Sequence, residues 1–338
     1  MAGADLERAG SRSLVIGVDV GGTKIAAGLV DRAGNVSGQV KLPTATGSVA
    51  LTLASISQAI QAAIKASGVE IFRVMGVGLG IPGKVDPQKG LGLYSANLGW
   101  RDVEVKGWLE ENLGLPCAVD NDVVAGALGE SLYGAGQGLA NMVYLSLGTG
   151  IAARVIIEGR IYRGSNGLAG EIGHAVFVPD GPRCLCGGQG CLEAVASGQA
   201  ISRLAQVAIE AGRSSLVKDY SEGGAKVTAE MVFGAALQGD SLANEILIQA
   251  GSHLAYALHM LALSFDPQAI VLGGGLAQTK GPFLEALWQG IARWEAQSPL
   301  FHEINVAGFI RLSSLKRDAG ILGAAAIFNM AQAQRGNL

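Results

Sequence analysis

The sequence predicts a two-lobed α/β protein, and three observations predict it: a length of 338 residues, a strand-turn-strand unit that occurs twice, and apolar patterning that alternates between helix and strand periods. Single cores stop growing at roughly 250 residues, so a chain of this length divides its apolar residues over two domains. Hydrophobic residues make up 49% and charged residues 16%, and the 51 glycines are spread along the chain, a pattern of buried sheets joined by tight turns.

The elements follow in order. Leu-Val-Ile-Gly-Val-Asp-Val from Leu14 is apolar and β-branched, Gly21-Gly22-Thr23-Lys24 turns the chain, and a second strand runs Ile25 to Val30 before the turn Asp31-Arg32-Ala33-Gly34. Leu53, Ile56, Ile60 and Ile64 form one helical face, followed by a strand from Val74 to Ile81. Val105 to Leu113 reads as a helix, Pro116 to Val119 as a short buried strand, and Val123 to Leu132 as a helix opening after Asn121-Asp122. Met142 to Ile157 then echoes the first unit without a gap: Gly148-Thr149-x-Ile151-Ala152-Ala153 matches Gly22-Thr23-x-Ile25-Ala26-Ala27, as duplication of one unit would produce. A helix over Gly251 to Ser264 leads into Ala269-Ile270-Val271-Leu272 and Gly273-Gly274-Gly275, and an Ala-rich helix closes the chain from Ala319 to about Ala333.

Charge and termini narrow the function. A net charge of −3 without a Lys/Arg run gives no electrostatic footprint for nucleic acid or an anionic membrane, so a small ligand is the expected partner. The N-terminus carries Asp5, Glu7, Arg8 and Arg12 and no apolar segment, and no uninterrupted apolar run reaches the roughly 18 residues that span a bilayer, so a cytoplasmic location is expected. Cysteines stay reduced there, and the crowding of Cys184, Cys186 and Cys191 then argues for a metal over a disulfide.

Gly78-x-Gly80-x-x-Gly83 fits a dinucleotide fingerprint and Gly78 to Lys84 nearly fits a P-loop, but Pro82 and Asp86-Pro87 prevent a helix from opening there, and Val85 stands where a P-loop needs a hydroxyl. The turn Asp19-Val-Gly-Gly22-Thr23-Lys24 offers freed N–H groups, a hydroxyl and an ammonium to phosphate oxygens, with Asp19 able to hold Mg²⁺ through water; a plain hairpin would use the same glycines. Gly148-Thr149-Gly150 and Gly273-Gly274-Gly275 favour the phosphate reading, because three such turns can converge on one nucleotide. Asn121-Asp122 sits between strand and helix, where Asp122 could accept a proton from a sugar hydroxyl or simply cap the helix. His174, Cys184, Cys186 and Cys191 supply one imidazole and three thiolates, a closed tetrahedral set for structural zinc, with Gly187, Gly188 and Gly190 allowing the bends. Glu171 and Glu193 flank that loop and could accept hydrogen bonds from sugar hydroxyls or remain solvated. His253, His259 and His302 lack ligand spacing and read as satisfied structural residues, and Cys117 reads as a buried thiol.

Taken together, Asp19-Val-Gly-Gly-Thr-Lys24, Asn121-Asp122, Gly148-Thr-Gly150, Gly-Glu171-Ile-Gly-His174, Cys184-x-Cys186-Gly-x-x-Gly-Cys191-Leu-Glu193 and Gly-Gly-Gly275 resemble the ROK family of sugar kinases and sugar-responsive repressors over nearly the whole chain. The resemblance implies an actin-like (ribonuclease H-like) fold with a duplicated β-β-β-α-β-α core whose two α/β lobes close over sugar and ATP. The lobes are expected as a smaller one of residues 12–121, completed by the C-terminal helix 319–334, and a larger one of 122–318 holding a zinc loop at 174–191. It further implies Asp122 as general base, with Asn97, Asn121, Asp122, Glu171, His174 and Glu193 on the sugar, and His174 bound to zinc through its other ring nitrogen. Gly22, Thr23, Lys24, Thr149, Gly150, Gly274 and Gly275 would lie against ATP, with Mg²⁺ and Asp19 at the phosphates.

Gly190-Cys-Leu-Glu-Ala-Val-Ala-Ser-Gly198 and Val119-Asp-Asn-Asp122 are similar to the glucokinase branch, so glucose is the expected substrate and glucose 6-phosphate the product. N-acetylmannosamine, fructose and other hexoses stay open, since pocket shape decides among them, as does polyphosphate as donor. The family often forms dimers, and a homodimer or higher homo-oligomer is the expected assembly. The chain departs from the family's usual glycines at Ala152-Ala153 and from its usual Asn at Val124. A sugar-sensing regulator is the alternative of another class. It would need a DNA-binding helix-turn-helix, and only about a dozen residues precede the first strand.

Overall fold

The computed structural model describes residues 13–220, 226–279, 281–316 and 318–336, so the reading of Asp5 to Arg12 lies outside the described residues. The chain divides into two compact units, one holding the chain up to Gly138 together with the stretch after Lys316, the other Leu139–Lys316.

The first unit is built on a five-stranded sheet of order β3-β2-β1-β4-β8, from β1 (Leu14–Val20), β2 (Lys24–Val30), β3 (Val36–Pro43), β4 (Val74–Ile81) and β8 (Cys117–Asn121). Helix α1 (Val49–Ser67) connects β3 to β4, and α2 (Val105–Leu113) precedes β8. Three short strands, β5 (Lys84–Asp86), β6 (Leu91–Ser95) and β7 (Trp100–Val103), pair as a separate antiparallel sheet that the sequence reading did not anticipate. Strand alternation divides the large sheet's two faces. Ile16, Val18 and Val20 of β1 and Val77, Leu79 and Ile81 of β4 enter one core with Leu53, Ile56 and Ile60 of α1.

The opposite face of β4 carries Gly76, Gly78 and Gly80, and it is covered by helices. A Cβ at Gly78 would collide with the Ala324 carbonyl oxygen of the C-terminal helix (Ala319–Gly336), one at Gly76 with the Phe328 ring, and one at Gly17 of β1 with the Ile321 carbonyl. Gly78, the first glycine of the apparent dinucleotide fingerprint, thus admits a helix onto the sheet. Helix α3 (Asp122–Tyr133) lies on the same face, where a Cβ at Gly80 would fall 2.9 Å from the Ala125 Cβ. α3 also packs closely on the C-terminal helix, since Cβ atoms at Gly129 and Gly323 would collide with the carbonyls of Ala319 and Ala125. The division between units therefore falls after Gly138 and not at the expected 121/122, because α3 is held by first-unit neighbours.

The second unit repeats the plan with β9 (Met142–Leu147), β10 (Ile151–Ile157), β11 (Arg160–Tyr162), β12 (Ala269–Gly273) and β13 (Ile310–Leu312), in the order β11-β10-β9-β12-β13. The echo seen in the sequence falls at the corresponding antiparallel turn of each sheet, between β1 and β2 and between β9 and β10, with the registers one residue apart: Ile25 pairs with Val20, whereas Ile151 pairs with Leu147. Helices α4 (Leu192–Ala196), α5 (Gly198–Glu210), α6 (Ala229–Leu237) and α7 (Ser241–Phe265) contribute to the core of this unit, as does the helix Pro282–Gln297. The core gathers Leu145, Leu147, Ala153, Val155, Leu254, Leu258, Ile270 and Leu272. By length and composition α1 and α7 could each cross a membrane, and each buries a face in its unit's core. His259 on α7 is only half satisfied: Nδ1 reaches the Ala255 carbonyl at 2.8 Å, while its buried Nε2 has no hydrogen-bond partner among the described residues, a correction to the expectation of a satisfied side chain.

Candidate active site

Parallel strands bring their carboxyl ends together, and in open α/β sheets that edge is where ligands bind. In the first unit Asp19 pairs with Gly80, and Gly80 with Asp120, so one row across β1, β4 and β8 sets Asp19 and the Asn121-Asp122 step at the same edge. Asn121, not Asp122, is the N-cap of α3. Its Oδ1 accepts the Val123 and Val124 N–H groups at 3.0 and 3.3 Å, while Nδ2 donates to the Gly83 carbonyl at 2.9 Å and to Asp122 Oδ1 at 3.0 Å. Asp122 occupies the first helical position, where the helix dipole favours a negative charge, and its Oδ1 also accepts the Val123 N–H at 2.9 Å. Asn121 therefore aims the Asp122 carboxylate, with both its amide functions engaged inside the protein. Asp120, which the sequence reading passed over, is 3% exposed and accepts the Asn121 N–H at 2.8 Å.

Asp19 keeps some exposure as a residue, but its carboxylate is enclosed: a Cβ at Gly320 would fall 2.5 Å from its Cγ. Burial first and the negative charge of Asp122 second push the Asp19 carboxyl up to about 7, against the opposing charge of Lys24. The Gly21-to-Lys24 turn is closed by Gly21 N–H to the Lys24 carbonyl at 2.8 Å, with Thr23 and Lys24 exposed. Asn97 stands in the turn between β6 and β7, against Gly22, where an added Cβ would lie 3.2 Å from the Asn97 Cβ.

In the second unit the turn Gly148-Thr149-Gly150 joins β9 to β10, and Gly274 follows β12 with φ +82°, so close that a Cβ would collide with the Leu147 carbonyl. The two glycine turns thus meet at one sheet edge, as the nucleotide reading needs for Thr149, Gly150, Gly274 and Gly275. The Gly22 turn belongs to the first unit. Gly150 has a further reason to lack a side chain. A Cβ there would collide with the carboxylate of Glu193, whose Oε2 accepts the Ile151 N–H at 2.9 Å. Of the departures, Ala153 is buried with its N–H on the Gly170 carbonyl at 2.7 Å, and Val124 is a buried residue of α3.

Glu171 precedes a single 3₁₀ turn, Ile172–His174, laid against β10; Gly170 adopts φ +92°, and Cβ atoms at Gly170 and Gly173 would collide with the carbonyls of Ala153 and Ile151. Its Oε1 accepts from Arg154 at 2.8 Å. Arg154 is a residue the sequence reading missed, because a single arginine among the apolar residues of a strand carries no motif.

The side-chain donor atoms of His174, Cys184, Cys186 and Cys191 lie within 4.8 Å of one another. Cys186 Sγ is 3.7 Å from Cys191 Sγ and Cys184 Sγ is 3.8 Å from His174 Nδ1. A tetrahedron with Zn–S bonds near 2.3 Å has edges of about 3.8 Å, so the cluster fits structural zinc. Gly188 N–H points at Cys186 Sγ from 3.4 Å and holds that thiol below its ordinary value; burial pushes Cys184 up and Cys191 up to about 12, a preference that a divalent cation reverses. Gly187 and Gly190 take positive φ, as the bends of the loop require. Cys117 is 2% exposed, and burial with the nearby Glu110 carboxylate pushes its thiol up to about 12, so it is a buried and unreactive group.

The family model described as "ROK family" matches residues 15–331. A glucokinase of Halalkalibacterium halodurans is 36% identical over 311 residues, covering 91% of this chain and 92% of its own. Among solved structures, a ROK hexokinase from Thermus thermophilus superposes with a TM-score of 0.75 at 33% identity, over 95% of this chain and 99% of that one. A ROK family glucokinase from Streptomyces griseus, in complex with glucose and AMPPNP, gives 0.75 at 34% identity over 93% and 98%. A xylose repressor of Bacillus spizizenii also matches, at 28% identity over 92% of this chain and 76% of its own.

Proposed function

The chain belongs to the ROK family, and from that membership together with the site geometry we propose that it is a sugar kinase that transfers the γ-phosphoryl group of ATP to glucose, giving glucose 6-phosphate. The observation that carries this reading is the Asn121–Asp122 pair: a carboxylate fixed at a helix N-terminus by a neighbouring amide, at the ligand-binding edge of the sheet. Likeness to the glucokinases of Halalkalibacterium halodurans and Streptomyces griseus supports both the chemistry and the sugar.

In this reading Asp122 accepts the proton of the attacking hydroxyl as that oxygen bonds to the γ-phosphorus and the bond to the β–γ bridging oxygen breaks, releasing ADP. Asn121 acts through Asp122 by holding its carboxylate. Asn97, Glu171, His174 and Glu193 bind the other sugar hydroxyls, and Gly22, Thr23, Lys24, Thr149, Gly150, Gly274 and Gly275 receive the nucleotide with backbone N–H groups. Asp19 would hold Mg²⁺ through water; the ion, when bound, neutralises phosphate charge. His174, Cys184, Cys186 and Cys191 would hold zinc, which shapes the loop and fixes the imidazole's tautomer. In this reading the enzyme acts in the cytoplasm as a homodimer or higher homo-oligomer.

The test is ADP release from Mg·ATP with glucose, mannose, fructose, N-acetylglucosamine or N-acetylmannosamine, a no-sugar blank, and polyphosphate as a second donor. Glucose should give the highest kcat/KM, and Asp122→Asn should lower kcat by about a hundredfold or more with sugar binding retained. Near-normal turnover in that variant would remove the base assignment. Binding of a sugar without turnover from either donor would point to the regulator reading that the xylose repressor match keeps in view.

A further inference from the structure

Glu171 and His174 lie on one loop, and β10 holds that loop by its backbone. The Ala153 N–H reaches the Gly170 carbonyl at 2.7 Å, the His174 N–H reaches the Glu171 carbonyl at 3.0 Å, and Gly170 and Gly173 let the loop approach the strand. These contacts fix where the Glu171 backbone is. They leave open where its carboxylate points, since a glutamate side chain keeps three rotatable bonds.

Arg154 settles that direction. It lies on the face of β10 shared with Ala152 and Ile156, away from the core that Ile151, Ala153 and Val155 enter. It is 7% exposed, and arginine is almost never so enclosed without a partner. One arm of the guanidinium, Nη1, donates to the Ala153 carbonyl at 2.7 Å; the other, Nη2, donates to Glu171 Oε1 at 2.8 Å. The first bond fixes the fork against its own strand, and the second then fixes the carboxylate. The Glu171 side chain itself is 34% exposed, so Oε1 is held from the protein side while the group as a whole still reaches solvent.

We infer that Arg154 is a positioning residue of the sugar site, which holds Glu171 Oε1 so that the carboxylate presents Oε2 alone, as a single oriented acceptor, to one donor group of the sugar. The inference rests on Glu171 being a sugar ligand. It adds a specificity rule: a paired carboxylate accepts and does not donate, so the position it reads must carry a hydroxyl or an N–H. Lysine would keep the charge and lose the fork that joins two acceptors.

The experiment compares Arg154→Met, Arg154→Lys, Glu171→Gln and the Arg154→Met/Glu171→Gln double variant for sugar KM, ATP KM, kcat and zinc content. Arg154→Met should raise sugar KM by about tenfold or more, the loss expected when one charge-assisted hydrogen bond no longer orients a ligand. ATP KM and zinc content should stay within about twofold, whereas a loop that merely came loose would lose metal as well. Arg154→Lys should fall between, and the double variant should be no worse than Glu171→Gln, since residues that act through one another are not additive. An unchanged sugar KM in Arg154→Met, or losses that multiply in the double variant, overturns the inference. If Arg154→Met does not fold, Arg154→Lys decides, and a wild-type sugar KM there counts against it. If the wild-type protein phosphorylates no sugar, the kinase reading fails separately, and sugar Kd by calorimetry replaces KM in every arm.

Discussion

At Asp19 burial and helix dipole act in opposite directions. The carboxylate sits beside Gly320 at the start of the C-terminal helix, a place that favours an anion, yet burial and the Asp122 charge push it up to about 7 from an ordinary 3.8. The sign of the resulting linkage follows from which state holds the proton. Between about 4 and 7 the folded protein keeps a proton on Asp19 that the unfolded chain has released, so stability is fully present below the unfolded value and is lost as pH rises through 7. In urea denaturation without added magnesium, the wild-type midpoint should fall from pH 5 to pH 8, and Asp19→Asn should flatten that fall. A variant whose midpoint falls as steeply as the wild type would assign the dependence to another group. Asp19 was legible in the sequence through its glycine-threonine-lysine turn, but its enclosure was not, because Gly320 arrives from the far end of the chain. Arg154 left no trace, since its partner Glu171 lies seventeen positions away with a turn and a third strand between.

Elements were legible where a periodic pattern and a stop signal coincide. α2 is Val105–Leu113 as read, closed by Gly114 in the left-handed conformation, and β4 is Val74–Ile81 as read. The small sheet of β5, β6 and β7 escaped notice because its strands are three to five residues long, too short to show alternation. α7 begins at Ser241, ten residues before the apolar run that marked it, because Asp240 caps it through the Ala243 N–H at 2.8 Å. The clustering of His174, Cys184, Cys186 and Cys191 was legible, since the four residues are close in sequence and their approach needs no long-range contact. Its prediction concerns the loop as an element. On the zinc reading, Cys186→Ser should lower bound zinc, measured by elemental analysis, and raise sugar KM, because His174 belongs to the four-residue cluster and Glu171 lies three residues before it. Full zinc content, or wild-type sugar affinity with zinc lost, would separate the metal from the substrate.

At the scale of the whole molecule, two units repeat one strand order, and the first is completed only after the second has been traversed. A chain emerging in sequence therefore has β1 and β4 long before the helix that covers their glycine face. That face has no side chains of its own at Gly17, Gly76 and Gly78, so its burial depends on Ile321, Ala324 and Phe328 approaching to backbone contact. Gly78→Val tests this dependence, because a side chain there collides with the Ala324 carbonyl and the helix must move away along its length. The expected loss is about 3 kcal/mol or more, in the range of overpacked or disrupted cores, read as a lower urea midpoint. Cys117 reports the location of the damage: it lies in β8 of the same sheet at 2% exposure, so alkylation by iodoacetamide under native conditions should become measurable in the variant. Amides of β9 and β12, in the core of the second unit, should keep their hydrogen-exchange protection, because that core shares no residue with the first. An unmoved midpoint with Cys117 still protected would mean that the C-terminal helix docks without close approach, and that these glycines serve a purpose other than packing.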